Sequence, residues 1–195
     1  MFDQITRQID WLRPDVVVAT IELAVEIARE GREGRRIGTL FTLGDADAVL
    51  RTSRPLILDP LAGHTPSGTH IADPDLRGTI KELAQLDGAF IVADDGTVVA
   101  ACRYLDASGD EIDLPLGLGS RHLAGASVSR RSRALAVVVS ESGVVRIFWG
   151  GRLLATIIPE LWLISRLRRQ FEGALDADRL ENLAIIFPSD RDHPA

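Results

Sequence analysis

The sequence has a single cysteine and no excess of positive charge. Cys102 is the only cysteine among 195 residues, which excludes an intrachain disulfide and is typical of a reducing compartment. The formal net charge is −6 at pH 7. This charge argues against broad nucleic-acid binding, because such binding needs a basic face. A small phosphorylated ligand stays compatible with it, since that ligand needs only a local positive pocket.

The chain also lacks the patterns of a signal peptide and of a membrane span. Its first residues, Met1-Phe2-Asp3-Gln4, do not show a basic segment followed by an apolar one. The apolar stretch at residues 153–164 is interrupted by Pro159 and Glu160 and is shorter than the ~18 residues of a transmembrane helix. We therefore expect a cytoplasmic protein without a membrane span.

What the sequence does contain is ordinary globular material. Hydrophobic residues make up 46% of the chain and charged residues 26%, which is enough apolar material for a core. A length of 195 residues is natural for one domain. We expect residues 1–14 to form a short leader, residues 15–158 to form the domain, and residues 159–195 to form a C-terminal helix and polar tail.

Hydrophobic periodicity predicts an alternation of helices and strands. The predicted helices cover residues 15–33, 73–87, 120–129 and a segment from Pro159 onward. The predicted strands cover residues 37–43, 89–93, 97–104, 135–140, 144–149 and 153–158. Residues 51–72 are rich in Pro, Gly and Thr and are typical of a loop. Several strands follow one another through short turns, so the sheet cannot be purely parallel. The expected fold is a single α/β domain, a mixed central sheet flanked by helices.

The first candidate for chemistry is Asp87-Gly88-Ala89, at a predicted junction between a helix and a strand. Glycine permits backbone conformations and close approaches that a side chain would block. A carboxylate beside it is a suitable ligand for Mg²⁺ or Mn²⁺, which prefer oxygen. The same three residues are also typical of a helix end followed by a buried strand, and from the residues alone that structural interpretation is preferred.

The second candidate is Gly117-Leu118-Gly119-Ser120-Arg121-His122, where two glycines precede a predicted helix start. Free amides at a helix N-terminus attract anions, and arginine adds a two-pronged donor for phosphate oxygens. It is not a P-loop, because no Gly-Lys-Ser/Thr follows at the required spacing. A surface loop with a solvated arginine is the alternative, and the residues alone do not decide between the two.

These two motifs, in this order, resemble the diadenylate cyclase family. The matching strings are Leu86-Asp87-Gly88-Ala89-Phe90-Ile91-Val92 and Gly119-Ser120-Arg121-His122. Supporting matches are Glu30-Gly31-Arg32-Glu33-Gly34, Ile37-Gly38-Thr39-Leu40-Phe41, Val139-Ser140-Glu141-Ser142-Gly143 and Gly150-Gly151-Arg152-Leu153. The resemblance covers roughly residues 18–154 and implies an enzyme that joins two ATP molecules into cyclic di-AMP and releases two pyrophosphates.

The resemblance also implies roles for individual residues. Asp87 would bind a divalent metal, Mg²⁺ or Mn²⁺, and help to activate the ribose 3′-hydroxyl, beside Gly88 and Ala89. The catalytic set would be Asp87, Arg121 and His122, with His122 in a contact role. The ATP-binding set would be Gly88, Ala89, Leu105, Gly119, Ser120, Arg121, His122, Ser140 and Glu141. Of these, the backbone of Leu105 would contact the adenine, and Ser140 and Glu141 would contact phosphate or metal.

One position departs from the family pattern. Many members have Arg-His-Arg, whereas here the third position is Leu123, so one phosphate-binding charge is missing. Arg103, Arg130 and Arg131 are candidates to replace it. Two alternatives therefore stay open, a non-catalytic module that binds adenine nucleotide or cyclic di-AMP, and an unrelated α/β partner-binding domain. The enzyme hypothesis further implies a homodimer or larger homo-oligomer, because two reacting ATP molecules must face each other.

Overall fold

The structure is a computed structural model that describes residues 3–107, 112, 114, 115, 117–161 and 185–186. The helices are α1 (Asp3–Gln8), α2 (Pro14–Glu30), α3 (Ala46–Arg51), α4 (Pro74–Leu83) and α5 (Ser120–Arg131). The strands are β1 (Thr39–Leu43), β2 (Ser53–Pro55), β3 (Ala89–Val92), β4 (Val98–Leu105), β5 (Leu135–Val139), β6 (Val145–Trp149), β7 (Arg152–Ile157) and β8 (Ile185–Ile186).

The strands form one sheet in the order β2-β4-β3-β1-β5-β6-β7-β8. β1 pairs with β3 in parallel, and every other neighbouring pair is antiparallel. The sequence prediction of a mixed sheet in a single α/β domain is therefore confirmed. The short connections between β5, β6 and β7 require antiparallel pairing, whereas the parallel pair β1 and β3 is joined through the longer segment that contains α4.

Helices cover both faces of the sheet and divide the core into two clusters. One cluster joins α1, α2 and α4 to alternate residues of the central strands, including Phe41 and Phe90, whose rings stack at 5.1 Å. The other joins α3 and α5 to the intervening residues, such as Leu40 and Val138. Successive residues of a strand point to opposite faces, so strands that are buried on both faces carry the continuous apolar runs seen in the sequence.

Local sequence explains where two of the helices begin and end. Asp73 caps α4, and its carboxylate accepts hydrogen bonds from the amides of Asp75 and Leu76. α2 has Pro14 in its first turn and ends at Gly31, whose φ of 57° favours glycine. The predicted helices at residues 15–33 and 73–87 are therefore present, although both end a few residues earlier than expected.

The N-terminal segment packs more closely than a leader would. In α1 and the turn that follows it, Ile5, Ile9 and Leu12 are each 3% exposed or less and belong to the α2-side cluster. The packed core therefore begins before residue 14. The spacing of these three residues, i, i+4 and i+7, is that of an amphipathic helix.

Two further segments differ from, or lie beyond, the sequence prediction. The region expected as a loop at residues 51–72 contains the short strand β2 and a 3-10 turn at Pro66–Gly68, and α3 precedes it. The helix expected from Pro159 onward lies, after Leu161, outside the described residues. Among the helices of the described chain, none is long and apolar enough to cross a membrane.

Candidate functional site

The predicted site residues meet at one edge of the sheet because of how the central strands pair. β1 and β3 are parallel, so both begin at this edge, and β5 is antiparallel to β1, so it ends there. Asp87 lies just before β3, and Glu141 lies just after β5. β6 starts at the same edge, which places Arg146 beside them. The topology therefore collects side chains that are distant in sequence.

The N-terminus of α5 completes this edge. Gly119 is the N-cap residue, and no side chain caps the first turn. The amides of His122 and Leu123 already contact the Gly119 carbonyl oxygen, at 3.0 and 3.3 Å. The first turn, which starts at Ser120, is therefore free of a side-chain cap and has the positive end of the helix dipole. An anion is favoured at this position.

A cavity of about 320 Å³ lies between the α5 N-terminus and the end of β5. Its lining consists of Gly117, Leu118, Gly119, Ser120, Arg121, His122, Val139, Ser140, Glu141, Ser142 and Arg146. The structure thus brings together six of the predicted site residues in this wall, namely Gly119, Ser120, Arg121, His122, Ser140 and Glu141. Asp87 joins the group through Arg121.

Arg121 connects the two candidate carboxylates. Its Nη2 donates to Asp87 Oδ1 at 3.1 Å, and its Nη1 donates to Glu141 Oε1 at 2.7 Å. Both carboxylate side chains are well exposed, 84% for Asp87 and 66% for Glu141. Exposed ion pairs of this kind contribute little to stability. The carboxylates are therefore accessible to a competing cation, and the guanidinium to a competing anion.

Two glycines allow the elements of the site to approach closely. Gly88 has φ of 114°, and a Cβ atom there would lie 2.5 Å from the carbonyl carbon of Cys102. Any side chain would therefore push β3 away from β4 beside Asp87. A Cβ atom on Gly38 would lie 2.7 Å from Nη1 of Arg121 and 3.1 Å from Cγ of Glu141. Gly38 thus leaves the space in which this ion pair sits.

His122 lies in the cavity wall and is only 6% exposed. Burial, with the nearby charges of Arg146 and Arg121, lowers the pKa of His122 to about 4, and a hydrogen bond to the Gly119 backbone opposes that shift. The imidazole is therefore neutral at pH 7. Its Nε2 lies 3.1 Å from Nη1 of Arg146, and a guanidinium can only donate, so Nε2 accepts and the proton is on Nδ1. The phosphate contact expected for His122 stays a prediction.

Ser140 organises the turn at the end of β5. Its hydroxyl accepts a hydrogen bond from the Ser142 amide at 3.2 Å and lies 2.9 Å from the Ser142 hydroxyl. Two hydroxyl groups thus face the cavity opposite the α5 N-terminus. Hydroxyl groups donate to phosphate oxygens, so this turn is suited to bind the same anion.

Four predicted residues lie outside the cavity wall. Asp87 and Gly88 directly precede β3, and Ala89 begins it and is 1% exposed. Leu105 ends β4, pairs with Ser53 of β2 and is 5% exposed. The ribose and adenine contacts expected for Gly88, Ala89 and Leu105 stay predictions.

The arginines considered as replacements for the charge missing at Leu123 have other partners. Arg103 donates to the Leu50 and Ser53 carbonyl oxygens, and Arg131 contacts Asp106. The aliphatic part of Arg130 lies against Gly151. None of these three residues lines the cavity in the described structure.

Arg146 was missed at the level of sequence, although it lines the cavity. A signal was present, because a single charged residue interrupts the apolar run of β6 between Val145 and Ile147, both fully buried. A charge within a buried strand is costly unless it is compensated. It therefore indicates a functional or structural contact at that position.

The residues at this edge are compatible with a divalent metal bound together with a phosphorylated ligand. The described residues contain no group of three or more acidic, histidine or cysteine side chains arranged to hold an ion. They do offer the exposed carboxylates of Asp87 and Glu141 around one guanidinium. One or two carboxylates, with waters and substrate phosphates as the remaining ligands, is the usual environment of Mg²⁺.

Comparison with known proteins finds two relatives of similar sequence. A diadenylate cyclase of Methanocaldococcus jannaschii is 53% identical over 140 residues, which are 71% of this chain and 44% of that protein. A diadenylate cyclase of Haloferax volcanii is 41% identical over 150 residues, 76% of this chain and 55% of that protein. The chain thus spans about half the length of these two relatives.

A solved structure supports the fold and a family model supports the family. The crystal structure of a double mutant of DacA from Staphylococcus aureus has a TM-score of 0.50 and 22% identity, and the match covers 82% of this chain and 97% of that chain. The model of the DAC family, described as DisA bacterial checkpoint controller nucleotide-binding, matches residues 26–153. Since that range includes every site residue described above, this chain belongs to the DAC family.

Proposed function

We propose that this chain is a diadenylate cyclase, a nucleotidyltransferase that condenses two ATP molecules into cyclic di-AMP and releases two pyrophosphates. The observation that carries the proposal is that Arg121 and Glu141 line one cavity with the uncapped start of α5, while Arg121 also contacts Asp87. The family of the chain and the names of its two relatives, both diadenylate cyclases, support the same activity.

In the proposed reaction the 3′-oxygen of one ATP attacks the α-phosphorus of the other. A bond from this oxygen to phosphorus forms, the bond from phosphorus to the bridging oxygen breaks, and pyrophosphate leaves with that oxygen. The 3′-hydroxyl proton is released, and the step occurs a second time to close the ring. Phosphoryl transfer of this type depends mainly on positioning and on charge neutralisation.

The chain's own groups provide both the positioning and the charge neutralisation. The start of α5 and Arg121 bind phosphate oxygens, while the hydroxyl groups of the Ser140 turn donate from the opposite wall. Neutral His122 keeps the first turn of α5 and the wall beneath it in place. Leu105, Gly88 and Ala89 are proposed to contact the adenine and ribose, as the family resemblance implies.

Asp87, with Glu141 as a second carboxylate, is proposed to hold the divalent metal. When bound, Mg²⁺ or Mn²⁺ would favour deprotonation of the 3′-hydroxyl and neutralise charge on the α-phosphate. A bound metal ion would also compete with Arg121 for the carboxylate of Asp87. Arg121 would then be free to turn toward phosphate.

The active species is proposed to be a homodimer or a larger homo-oligomer. Each chain provides one Asp87 and one phosphate-binding turn, but cyclic di-AMP has two equivalent links that require two equivalent attacks. The Asp87 side chain is 84% exposed, so the half-site opens outward. A two-fold pair with facing half-sites brings each 3′-hydroxyl to the opposite α-phosphate through one self-complementary interface. A cytoplasmic location stays a prediction.

The test incubates purified protein with ATP and Mn²⁺ and detects cyclic di-AMP by mass. Activity per molecule should fall on dilution below the pairing affinity, and added Asp87→Asn protein should lower wild-type activity by forming inactive mixed pairs. Constant specific activity at concentrations where the protein is monomeric would contradict the paired mechanism. No product at any concentration would contradict the activity itself.

One alternative is supported by a specific residue. Leu123 stands where many family members have a third motif arginine, and a weaker phosphate site would suit a non-catalytic module that binds ATP or cyclic di-AMP. Nucleotide binding without product in the assay above would favour this module. An unrelated partner-binding domain is excluded as an identity, because the chain belongs to the DAC family.

A further inference from the structure

Arg146 is a half-buried cation that points into the candidate cavity. It lies near the start of β6 and shares the cavity wall with Arg121 and the start of α5. Its strand neighbours Val145 and Ile147 are fully buried on the opposite face. The chain therefore places a charged side chain where the alternation of a buried strand would normally place an apolar one.

The contact made by Arg146 orients its charge without neutralising it. Nη1 donates to Nε2 of His122 at 3.1 Å, and the ring is held edge-on against Phe148 with a centroid separation of 6.2 Å. His122 is neutral, as its depressed pKa shows. The imidazole thus fixes the direction of one guanidinium nitrogen, while the positive charge stays unbalanced.

Nothing else in the described residues balances that charge. No carboxylate forms an ion pair with Arg146 in the part of the chain that the structure describes, and burial alone lowers the pKa of this guanidinium. The nearby carboxylates of Asp87 and Glu141 both contact Arg121 instead. A partly buried cation without a counter-charge is unfavourable until an anion binds.

We propose that Arg146 is the second phosphate-binding guanidinium of this site and replaces the charge that is missing at Leu123, with His122 as its positioning residue. The identification of the ligand as the triphosphate of ATP rests on the proposed function. The binding of a polyphosphate anion in general rests on the charge and position of Arg146. Two guanidinium groups, Arg121 and Arg146, then face the phosphates in the same cavity.

The test measures the affinities of ATP, adenosine and tripolyphosphate by calorimetry for wild type, Arg146→Gln and Arg51→Gln. Gln keeps an N–H donor for His122 but removes the charge. Arg146→Gln should weaken ATP and tripolyphosphate binding by about 10- to 100-fold, the range of one charge-assisted contact, and leave adenosine unchanged. Arg51 is an exposed arginine on α3, outside the cavity wall, so its substitution should change none of the three affinities.

A relocation variant sharpens this test. Adding Leu123→Arg to Arg146→Gln restores the family's third arginine and should recover part of the lost ATP affinity. Without nucleotide, Arg146→Gln should unfold at the wild-type temperature or above it, because an uncompensated charge has been removed. A lowered unfolding temperature with unchanged ATP affinity would show that Arg146 serves the fold and would overturn the proposal.

Further outcomes separate this inference from the proposed function. If wild type makes no cyclic di-AMP but its tripolyphosphate binding depends on Arg146, the proposed function fails and the inference stands. If wild type makes product and Arg146→Gln binds ATP equally well, the inference fails alone. If Arg146→Gln does not fold, the guanidinium NMR signal of Arg146 is followed in wild type while tripolyphosphate is added. A shifted signal supports the proposal, and an unchanged signal contradicts it.

Discussion

Two clusters of charge on this domain differ in how completely their charges are paired. The first, which we call the helix-pair network, joins Glu26 and Glu30 of α2 to Arg77 and Lys81 of α4. Glu26 contacts both cations at 2.9 Å, and Lys81 contacts Glu30 at 3.0 Å. Burial acts to raise the pKa of Glu26, but the contacts with Lys81 and Arg77 outweigh it, so the pKa lies below its ordinary value.

The second cluster is the candidate site, where pairing is incomplete. Arg121 contacts two exposed carboxylates, and Arg146 contacts only a neutral imidazole. The cavity beside the helix-pair network is the larger one, about 490 Å³ against about 320 Å³. Cavity size alone would therefore select the helix-pair network. Incomplete charge compensation selects the cluster that can gain from an anionic ligand.

The largest effect that separates the two clusters is expected from Asp87→Asn. The change is nearly isosteric and removes the charge proposed to hold the metal, so product formation should fall by at least about 100-fold. The free energy of unfolding should not change, because the side chain is 84% exposed. Asp47→Asn, at an exposed position of α3, is the matched control and should keep wild-type activity. An Asp87→Asn protein with wild-type product yield would remove Asp87 from the mechanism.

A smaller effect is expected from Arg121→Ala. Loss of a charge-assisted contact should weaken ATP binding or turnover by about 1.5–3 kcal/mol, roughly 10- to 150-fold. Stability should be unchanged, since both ion pairs of Arg121 are exposed. Steady-state kinetics and chemical denaturation measure the two quantities. Lost stability with intact turnover would assign Arg121 a structural role instead.

The buried imidazole of the site gives a pH-dependent prediction. Below its ordinary pKa of 6.5, His122 takes up a proton in the unfolded chain, but in the folded chain it does so only near pH 4. The unfolded state then binds more protons, so the free energy of unfolding should fall by about 2 kcal/mol between pH 7 and pH 5. Urea denaturation measures it.

His122→Gln should abolish this part of the pH dependence. His64→Gln, at an exposed loop position, is the control and should retain it. If wild type and His122→Gln lose the same free energy of unfolding between pH 7 and pH 5, His122 is not held neutral by the fold.

The smallest expected effect lies in the helix-pair network. Glu26→Gln removes the carboxylate shared by Arg77 and Lys81 and should lower the free energy of unfolding by about 1 kcal/mol. Product formation should not change. Glu30→Gln is the matched control, because Glu30 is more exposed, 43% against 29%, and should cost less. Reduced catalysis in Glu26→Gln with wild-type stability would mean that this network also serves the reaction.

Much of the fold could be predicted because its signals are local. The apolar runs of β5, β6 and β7 and the Asp73-Pro74 helix start appear in the structure where the sequence indicated them. α3 and β2 were missed, since six- and three-residue elements contain too few periods to show a pattern. The packing of Ile5 in the core was also missed, although its spacing to Ile9 and Leu12 was helical.

The site itself divides in the same way. The motifs around Asp87 and Arg121 were visible as strings, since the chemistry of metal and phosphate binding requires those residue types next to permissive glycines. The contact between Arg146 and His122 was not visible, because it depends on how β6 lies against α5. The only signal of this contact in the sequence was Arg146 itself, a single charged residue in the apolar run of β6.

The sequence by itself therefore determined the longer helices and strands, the mixed character of the sheet and the motifs of the site, because periodicity, turn residues and short strings act over a few neighbouring positions. Only the tertiary structure decided that Arg121 would lie between Asp87 and Glu141 and that Arg146 would share a cavity with Arg121. The physical reason is strand pairing. The parallel start of β1 and β3 and the antiparallel end of β5 bring distant chain segments to one edge, where charges meet through space.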